Sequence, residues 1–436
     1  MDIREKILLD RENRVNLVRE RLSSNNLILT LKVNIVGNDK NIDGTKAILD
    51  YFYKKIEETF DINSTEFIDS FDGNYYIIEL PRLDYVETKR KLIGLEETTL
   101  GRLVDIDLFS DMKKSVSRID LGLEPRRCIV CGRLYNTCLR ERAHTLEEVL
   151  IKTKELIREG LVEVLLKFTT DSIVEEVSAH PKFGLVTKEC SGSHRDMDYD
   201  TFIRSKEALT ESMERYLYTG FEIDEDTLPR LRGIGLEAEK EMFKSTGGVN
   251  THKGAVFLLG FLLPSLTNVL YYDKEIDSIC HIVGELGKSI LKDFEGLEGK
   301  EDLTYGERIY LDHGITGVRG VVFEGFKVLT DNIHEIVESS ELEGNENVLR
   351  LLLLFMREID DTTLLHRHPV EILREVKEVS HECYRDNKLD YDKINEITEV
   401  FIKRRISPGG SADMVILALI LQKVIKNFGK EWILNV

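Results

Sequence analysis

Proline is scarce here, with 7 in 436 residues, and tryptophan is nearly absent. So little proline, without any low-complexity tract, excludes long disordered linkers. Six cysteines over this length do not make a disulfide scaffold. The first residues, Met1-Asp2-Ile3-Arg4-Glu5, lack the apolar run of a secretory signal. A cytoplasmic protein with reduced thiols is therefore expected. No GxxxxGK[ST] phosphate loop occurs. Long apolar runs are also few. The longest, Gly254 to Tyr272, contains Pro264, Ser265 and Asn268 and reads as a buried helix and a turn, not a membrane segment.

What remains is a soluble composition, 42% hydrophobic and 32% charged, long enough for two or three domains. The net charge of −19 is uneven: about −3 up to residue 150 and about −16 beyond it. A second half this acidic repels nucleic acid. Residues 1–22 read as an amphipathic helix through Ile7, Leu8, Val15, Val18 and Leu22. Strand-like runs follow at Leu27–Val36, Tyr75–Leu80 and Leu103–Phe109, separated by helical patterns at 42–60 and 82–93. Beyond Leu146 nearly every periodic segment is helical, at 160–178, 200–218, 228–245, 266–292, 345–358, 370–385 and 411–428. The expected fold is an α+β N-terminal domain over 1–155 and an all-α C-terminal domain over 156–436, with the boundary inside a continuous helix.

In the first half, Gly101-Arg102-Leu103-Val104-Asp105-Ile106-Asp107-Leu108-Phe109 alternates as a strand does. Asp105 and Asp107 share one face, where two carboxylates suit a Mg²⁺ ion or simply face solvent. Cys128, Cys131, Cys138 and His144 have the chemistry of a zinc site; the alternative is three reduced thiols beside a surface histidine. The interleaved Arg126, Arg127, Arg133, Arg140 and Arg142 suit a polyphosphate or form a solvated basic turn. In the second half, Ser193-His194-Arg195-Asp196-Met197-Asp198-Tyr199 gathers three ionisable types, with Asp198 also placed to cap the next helix. Gly247 through Lys253 opens a helix as an anion-favouring turn. Ile406 through Asp413 is a glycine-rich helix start, with Ser411 a possible cap. Asp312-His313-Gly314 through Arg319-Gly320 is another polar loop, and Asp360 and Asp361 either hold a metal or end a helix. Gly233-Ile234-Gly235 is no dinucleotide fingerprint, because no strand precedes it.

Two family resemblances rest on these segments. Asn34-Ile35-Val36-Gly37, the Gly101–Asp107 strand, and Gly122-Leu123-Glu124-Pro125-Arg126-Arg127-Cys128 through Cys138 and His144-Thr145-Leu146-Glu147-Glu148 resemble, in order, the apo-citrate lyase phosphoribosyl-dephospho-CoA transferases. The segments HRDMDYDTF, GVNTHKG, HGxxGxRG and SPGGSADM resemble the triphosphoribosyl-dephospho-CoA synthases across 165–436. Val36 and Phe183 stand where the families usually have proline. Val321 stands where the second has a glutamate, leaving Glu324 as the nearest substitute.

The resemblance implies a nucleotidyltransferase-like first domain and a fusion of two transferases. The C-terminal half would join ATP and 3′-dephospho-CoA with loss of adenine. The N-terminal half would transfer the product to a serine of the citrate lyase acyl-carrier subunit. It further implies catalytic roles for His194, Asp196 and Asp198, and phosphate or substrate binding by Arg102, Arg126, Arg127, Asn250, His252, Lys253, Arg319 and Ser411. Asp105 and Asp107 would hold Mg²⁺, and Asp360 and Asp361 are further metal candidates. The rival readings are a metal-dependent phosphohydrolase or ADP-ribosyl-hydrolase-like enzyme, although no adjacent His-Asp pair occurs, and a zinc-bearing regulatory protein. No membrane or nucleic-acid partner is expected.

Overall fold

The computed structural model describes residues 2–110, 115–116, 118–342, 344–385 and 388–430. The chain forms two compact units. Unit 1 comprises Met1–Glu163 with Leu270–Asp273 and Lys426–Lys430; unit 2 comprises the remainder. The division falls between residues 163 and 164, within a 33-residue helix, Leu146–Ser178.

Unit 1 runs α1 (Ile3–Arg21), β1 (Asn26–Val33), α2 (Thr45–Thr59), β2 (Ser64–Ile68), β3 (Tyr75–Pro81), α3 (Tyr85–Glu96), β4 (Val104–Phe109), β5 (Ser115–Val116), α4 (Tyr135–Glu141) and the start of α5 (Leu146–Ser178). Its sheet is antiparallel throughout, in the order β2-β3-β1-β4-β5. The mixed class agrees with the sequence reading, while β2 and β5 were not expected. β2 has no fully buried residue, so it lacks the apolar alternation that marks a strand. β1 is central, and an apolar run such as Leu27-Ile28-Leu29 suits a strand covered on both faces. Ile28, Tyr75 and Ile77 form one buried cluster with Val18 of α1. On the other face Leu29, Leu31, Ile78, Ile106 and Leu108 are buried, and α2 and α3 contact β1 and β4. Of the stripe expected on α1, only Ile7 and Val18 are buried; Leu8 and Val15 are exposed. Between β2 and β3, buried Asp72 bonds Arg11 (2.8 Å), Arg14 (2.7 Å) and Lys32 (2.6 Å), tying α1 to the sheet.

Unit 2 is built on helices: the end of α5, α6 (Tyr199–Thr219), α7 (Thr227–Ser245), most of α8 (Lys253–Tyr271), α9 (Ser278–Gly287), α10 (Tyr305–His313), α11 (Val318–Phe323), α12 (Lys327–Asp331), α13 (Ile333–Ser339), α14 (Asn345–Glu358), α15 (Thr362–Leu365), α16 (Val370–Glu382), α17 (Tyr391–Arg404) and most of α18 (Gly409–Phe428). Three departures correct the sequence reading. The helix expected over 266–292 ends at Tyr271 and resumes at Ser278, with Asp273 left-handed at φ +49°. Pro264 does not end α8, so the stretch read as a helix and a turn is one helix. By length and composition α8 alone among the described helices is apolar enough to cross a membrane, yet it is largely buried within the protein. A hairpin of two-residue strands, β6 (Tyr384–Arg385) and β7 (Lys388–Leu389), interrupts the otherwise helical unit. Two-residue strands carry no periodic signal.

Candidate functional site

On β4 the expected alternation is present: Val104, Ile106 and Leu108 are buried, Asp105 is half-buried and Asp107 exposed. Register places Lys32 of β1 opposite Asp105, and Thr30 opposite Asp107, so all four share a face. Arg126 spans the strand. Its guanidinium meets Asp105 (2.9 Å) and Glu96 (2.9 Å) and donates to the Val104 carbonyl (2.6 Å). Burial pushes the Asp105 carboxyl above its usual range, Arg126 opposes this, and Asp107 adds to it. Lys32 was not anticipated, because a lone lysine in an apolar strand gives no signal until its cross-strand partner is known. Arg102 is exposed, with one long contact to the Cys128 carbonyl (3.5 Å). Arg127 pairs at the surface with Glu124 (3.0 Å). The Cys128, Cys131 and Cys138 sulfurs and a ring nitrogen of His144 lie within 4.8 Å of one another.

In unit 2 a cavity of about 380 Å³ gathers loops far apart in sequence. His194 and Asp196 enter from the turn before α6; Asn250, His252 and Lys253 from the turn opening α8; Ser407, Gly409 and Asp413 from the start of α18. Glu176, Lys182, His366 and Arg367 add further charged and titratable groups to the lining. His194 Nε2 is hydrogen-bonded to Ser407 Oγ (2.9 Å) and His252 Nδ1 to Ser205 Oγ (2.8 Å). Both remaining ring nitrogens are buried, without a hydrogen-bond partner among the described residues. Burial, then Arg367, lowers the His194 pKa; burial, then Lys182, pushes His252 down to about 3. Both imidazoles are therefore neutral near pH 7, each able to accept a proton or a hydrogen bond.

Asp413 behaves oppositely. Burial, then the Asp361 and Glu176 carboxylates, raises its pKa well above the carboxylate range, although the Ala255 N–H pulls the other way. The helix start beside it needs glycine, since a Cβ at Gly254 would stand 2.0 Å from Asp413 Oδ2. Gly410 likewise admits Asp361, whose Oδ1 would lie 2.7 Å from a Cβ there. Within the lining, Lys182 and Glu176 form a buried ion pair at 2.7 Å. Sequence reasoning missed Glu176, Lys182 and Asp413 as site residues, because a helix interior, a turn and a helix start meet only in the folded chain.

Several expected site residues lie elsewhere. Asp198 caps α6, accepting from Thr201 N (2.9 Å) and Thr201 Oγ1, and this bonding lowers its pKa. The structure thus gives its carboxylate to the helix end, not to the cavity. Arg319 lines a second, smaller cavity and pairs with Asp293 (3.0 Å). Ser411 is fully buried and bonds Asp361 (2.9 and 3.2 Å). Asp360 pairs with Lys377 (2.8 Å) at the surface, whereas Asp361 is buried against Ser411 and Thr363. With different partners, these neighbours do not converge on one cation. Glu324 is exposed at the end of α11 and lines neither cavity.

A family model for ATP:dephospho-CoA triphosphoribosyl transferase matches residues 163–431, and one for apo-citrate lyase phosphoribosyl-dephospho-CoA transferase matches residues 3–160. The chain is 29% identical over 462 residues to Protein CitXG of Leuconostoc mesenteroides subsp. cremoris, covering 96% of this chain and 97% of that one. It is also 29% identical over 444 residues to Protein CitXG of Haemophilus influenzae, covering 95% of each. A probable 2-(5''-triphosphoribosyl)-3'-dephosphocoenzyme-A synthase of Streptococcus equi subsp. equi is 35% identical over 270 residues, which span 57% of this chain and 92% of that protein.

Proposed function

We propose a division of labour for this chain, which belongs to the ATP:dephospho-CoA triphosphoribosyl transferase family and carries an apo-citrate lyase phosphoribosyl-dephospho-CoA transferase ahead of it. It is a bifunctional transferase that builds the citrate lyase prosthetic group with its C-terminal part and attaches it with its N-terminal part.

In unit 2 the ribose 2′-hydroxyl of dephospho-CoA attacks C1′ of the ATP ribose. The new bond is O–C1′; the bond broken is C1′–N9, and adenine leaves with a proton. Such a centre carries positive charge as the base departs, which a nearby carboxylate stabilises. The observation carrying this reading is the cavity itself, which two neutral imidazoles line together with Asp196 and Asp413. His194 suits removal of the hydroxyl proton, and Asp413, with its raised pKa, suits donation to the leaving adenine. Lys253, paired to Glu239 at 2.8 Å, and Arg367 are the cations available to the triphosphate.

In unit 1 the serine hydroxyl of the acyl-carrier subunit attacks the α-phosphorus of the triphosphoribosyl group. A serine O–P bond forms, the Pα–O–Pβ bond breaks, and pyrophosphate leaves. We assign this step to a nucleotidyltransferase-like site on β4. Asp105 and Asp107, two carboxylates on one strand face, fit Mg²⁺, which when bound neutralises phosphate charge. Lys32 and Arg126 on the same face hold phosphate oxygens.

The test is incubation with ATP and dephospho-CoA, following adenine by chromatography. Adenine release that requires dephospho-CoA is expected. Release of phosphate alone, or of adenine without dephospho-CoA, would instead mark a hydrolase.

A further inference from the structure

The segment 118–145 of unit 1 has almost no core. Ile119, Leu123, Leu134, Tyr135 and Leu139 are exposed, Leu121, Ile129 and Val130 are half-buried, and the only buried residues in it are Cys128 and Cys138. A stretch with so little apolar burial needs another source of order. Even so, it adopts a definite shape. Cys128 and Cys131 flank a tight turn closed by Gly132 N–H to the Cys128 carbonyl (3.0 Å) and Cys128 N–H to the Arg133 carbonyl (2.7 Å), with Gly132 left-handed at φ +72°. Cys138 comes from α4, and His144 follows after Ala143 N–H closes back on the Cys138 carbonyl (3.1 Å).

We propose that Cys128, Cys131, Cys138 and His144 bind one Zn²⁺ ion, which orders this segment and positions Arg126 against Asp105. Four ligand atoms within 4.8 Å of one another suit a tetrahedral site, where Zn–S bonds of about 2.3 Å set sulfurs roughly 3.8 Å apart. Cys131 and Cys138 Sγ are 3.2 Å apart, sharing a thiol hydrogen bond with no disulfide, so a modest opening of that pair completes the geometry. His144 Nε2 is buried without a hydrogen-bond partner, a cost that coordination removes. Three thiolates and one imidazole favour zinc over the oxygen-seeking Mg²⁺. The closed ligand set makes the ion structural. Arg126 lies two residues before Cys128, so its hold on Asp105 and Glu96 depends on this turn.

The full chain, purified without chelators, should carry about one zinc per molecule by elemental analysis. Cobalt-substituted protein should show thiolate charge-transfer bands and tetrahedral d–d bands. The Cys131→Ser/Cys138→Ser double variant should lose the zinc and load carrier protein roughly tenfold more slowly or worse. Its dephospho-CoA-dependent adenine release should not change, which shows the rest of the chain to be folded. Zinc below about a tenth of an equivalent, undiminished zinc in the double variant, or a native Cys131–Cys138 disulfide by mass spectrometry would overturn the site. Loading at the wild-type rate by the zinc-free variant would overturn the positioning role of the ion.

Discussion

The acidic strand of unit 1 and the cavity of unit 2 treat charge in opposite ways. On β4 the carboxylates are met by cations that oppose the effect of burial: Arg126 lies 2.9 Å from Asp105, with Lys32 across the ladder. In the cavity, like charges add to burial: Arg367 and Lys182 help hold the imidazoles neutral, and Asp361 and Glu176 favour the protonated form of Asp413. The first arrangement suits a polyanionic substrate whose charge must be balanced. The second suits proton transfer, where an acid and a base must coexist near neutral pH. The two proposed chemistries differ accordingly, pyrophosphate release in one unit and adenine release in the other.

The contrast breaks most visibly through the buried ion pairs. Removing Lys182 leaves Glu176 uncompensated, and we expect Lys182→Met to destabilise unit 2 by about 3–5 kcal/mol. Lys32→Met in unit 1 leaves Asp72 bonded to Arg11 and Arg14, so about 1–2 kcal/mol is expected. Hydrogen exchange read by mass spectrometry reports each unit separately; equal losses would erase the distinction.

Activities should separate nearly as far. Asp413→Asn should slow adenine release about a hundredfold or more while loading carrier normally from pre-made intermediate. Asp105→Asn should do the reverse. A variant that loses both activities has misfolded, and one that loses neither moves the chemistry elsewhere.

Acid sharpens the comparison further. His252 titrates near 3 in the folded chain and near its ordinary value, about 6.5, when unfolded. Between those values the unfolded state holds a proton that the folded state lacks. Stability therefore falls as pH falls through that window, by up to about 1.4 kcal/mol per pH unit from this group. His252→Asn should remove that slope from unit 2 and leave unit 1 untouched. Parallel stability curves for variant and wild type between pH 6.5 and 4 would show that burial does not suppress its protonation.

The smallest effect concerns Asp198. As a helix cap, its replacement by alanine should cost about 1 kcal/mol, and asparagine, itself a good cap, much less. Adenine release by Asp198→Asn should stay within a few-fold of wild type. A loss of about a hundredfold, as for Asp413, would return Asp198 to the catalytic set.

The sequence by itself determined the local order. Alternation of Val104, Ile106 and Leu108 with Asp105 and Asp107 reports a strand and its faces, because side chains on a strand change sides at every residue. Apolar periodicity likewise marked the long helices of unit 2, although it ran through the break after Tyr271, where apolar residues continue on both sides of a turn. The motifs before α6 and at the starts of α8 and α18 were legible as polar turns, and the structure joins His194, Asn250, His252 and Lys253 in one cavity.

Tertiary structure alone decided the rest. Nothing local shows that Glu176 meets Lys182, that Asp413 sits against Gly254, or that Arg319 turns to Asp293. Phe183, read as a substitution for proline, takes φ +39°, a value a proline ring forbids. The physical reason is common to all of these. A helix or strand is specified by neighbours a few residues apart, whereas a buried charge is specified by whichever distant groups share its loss of water.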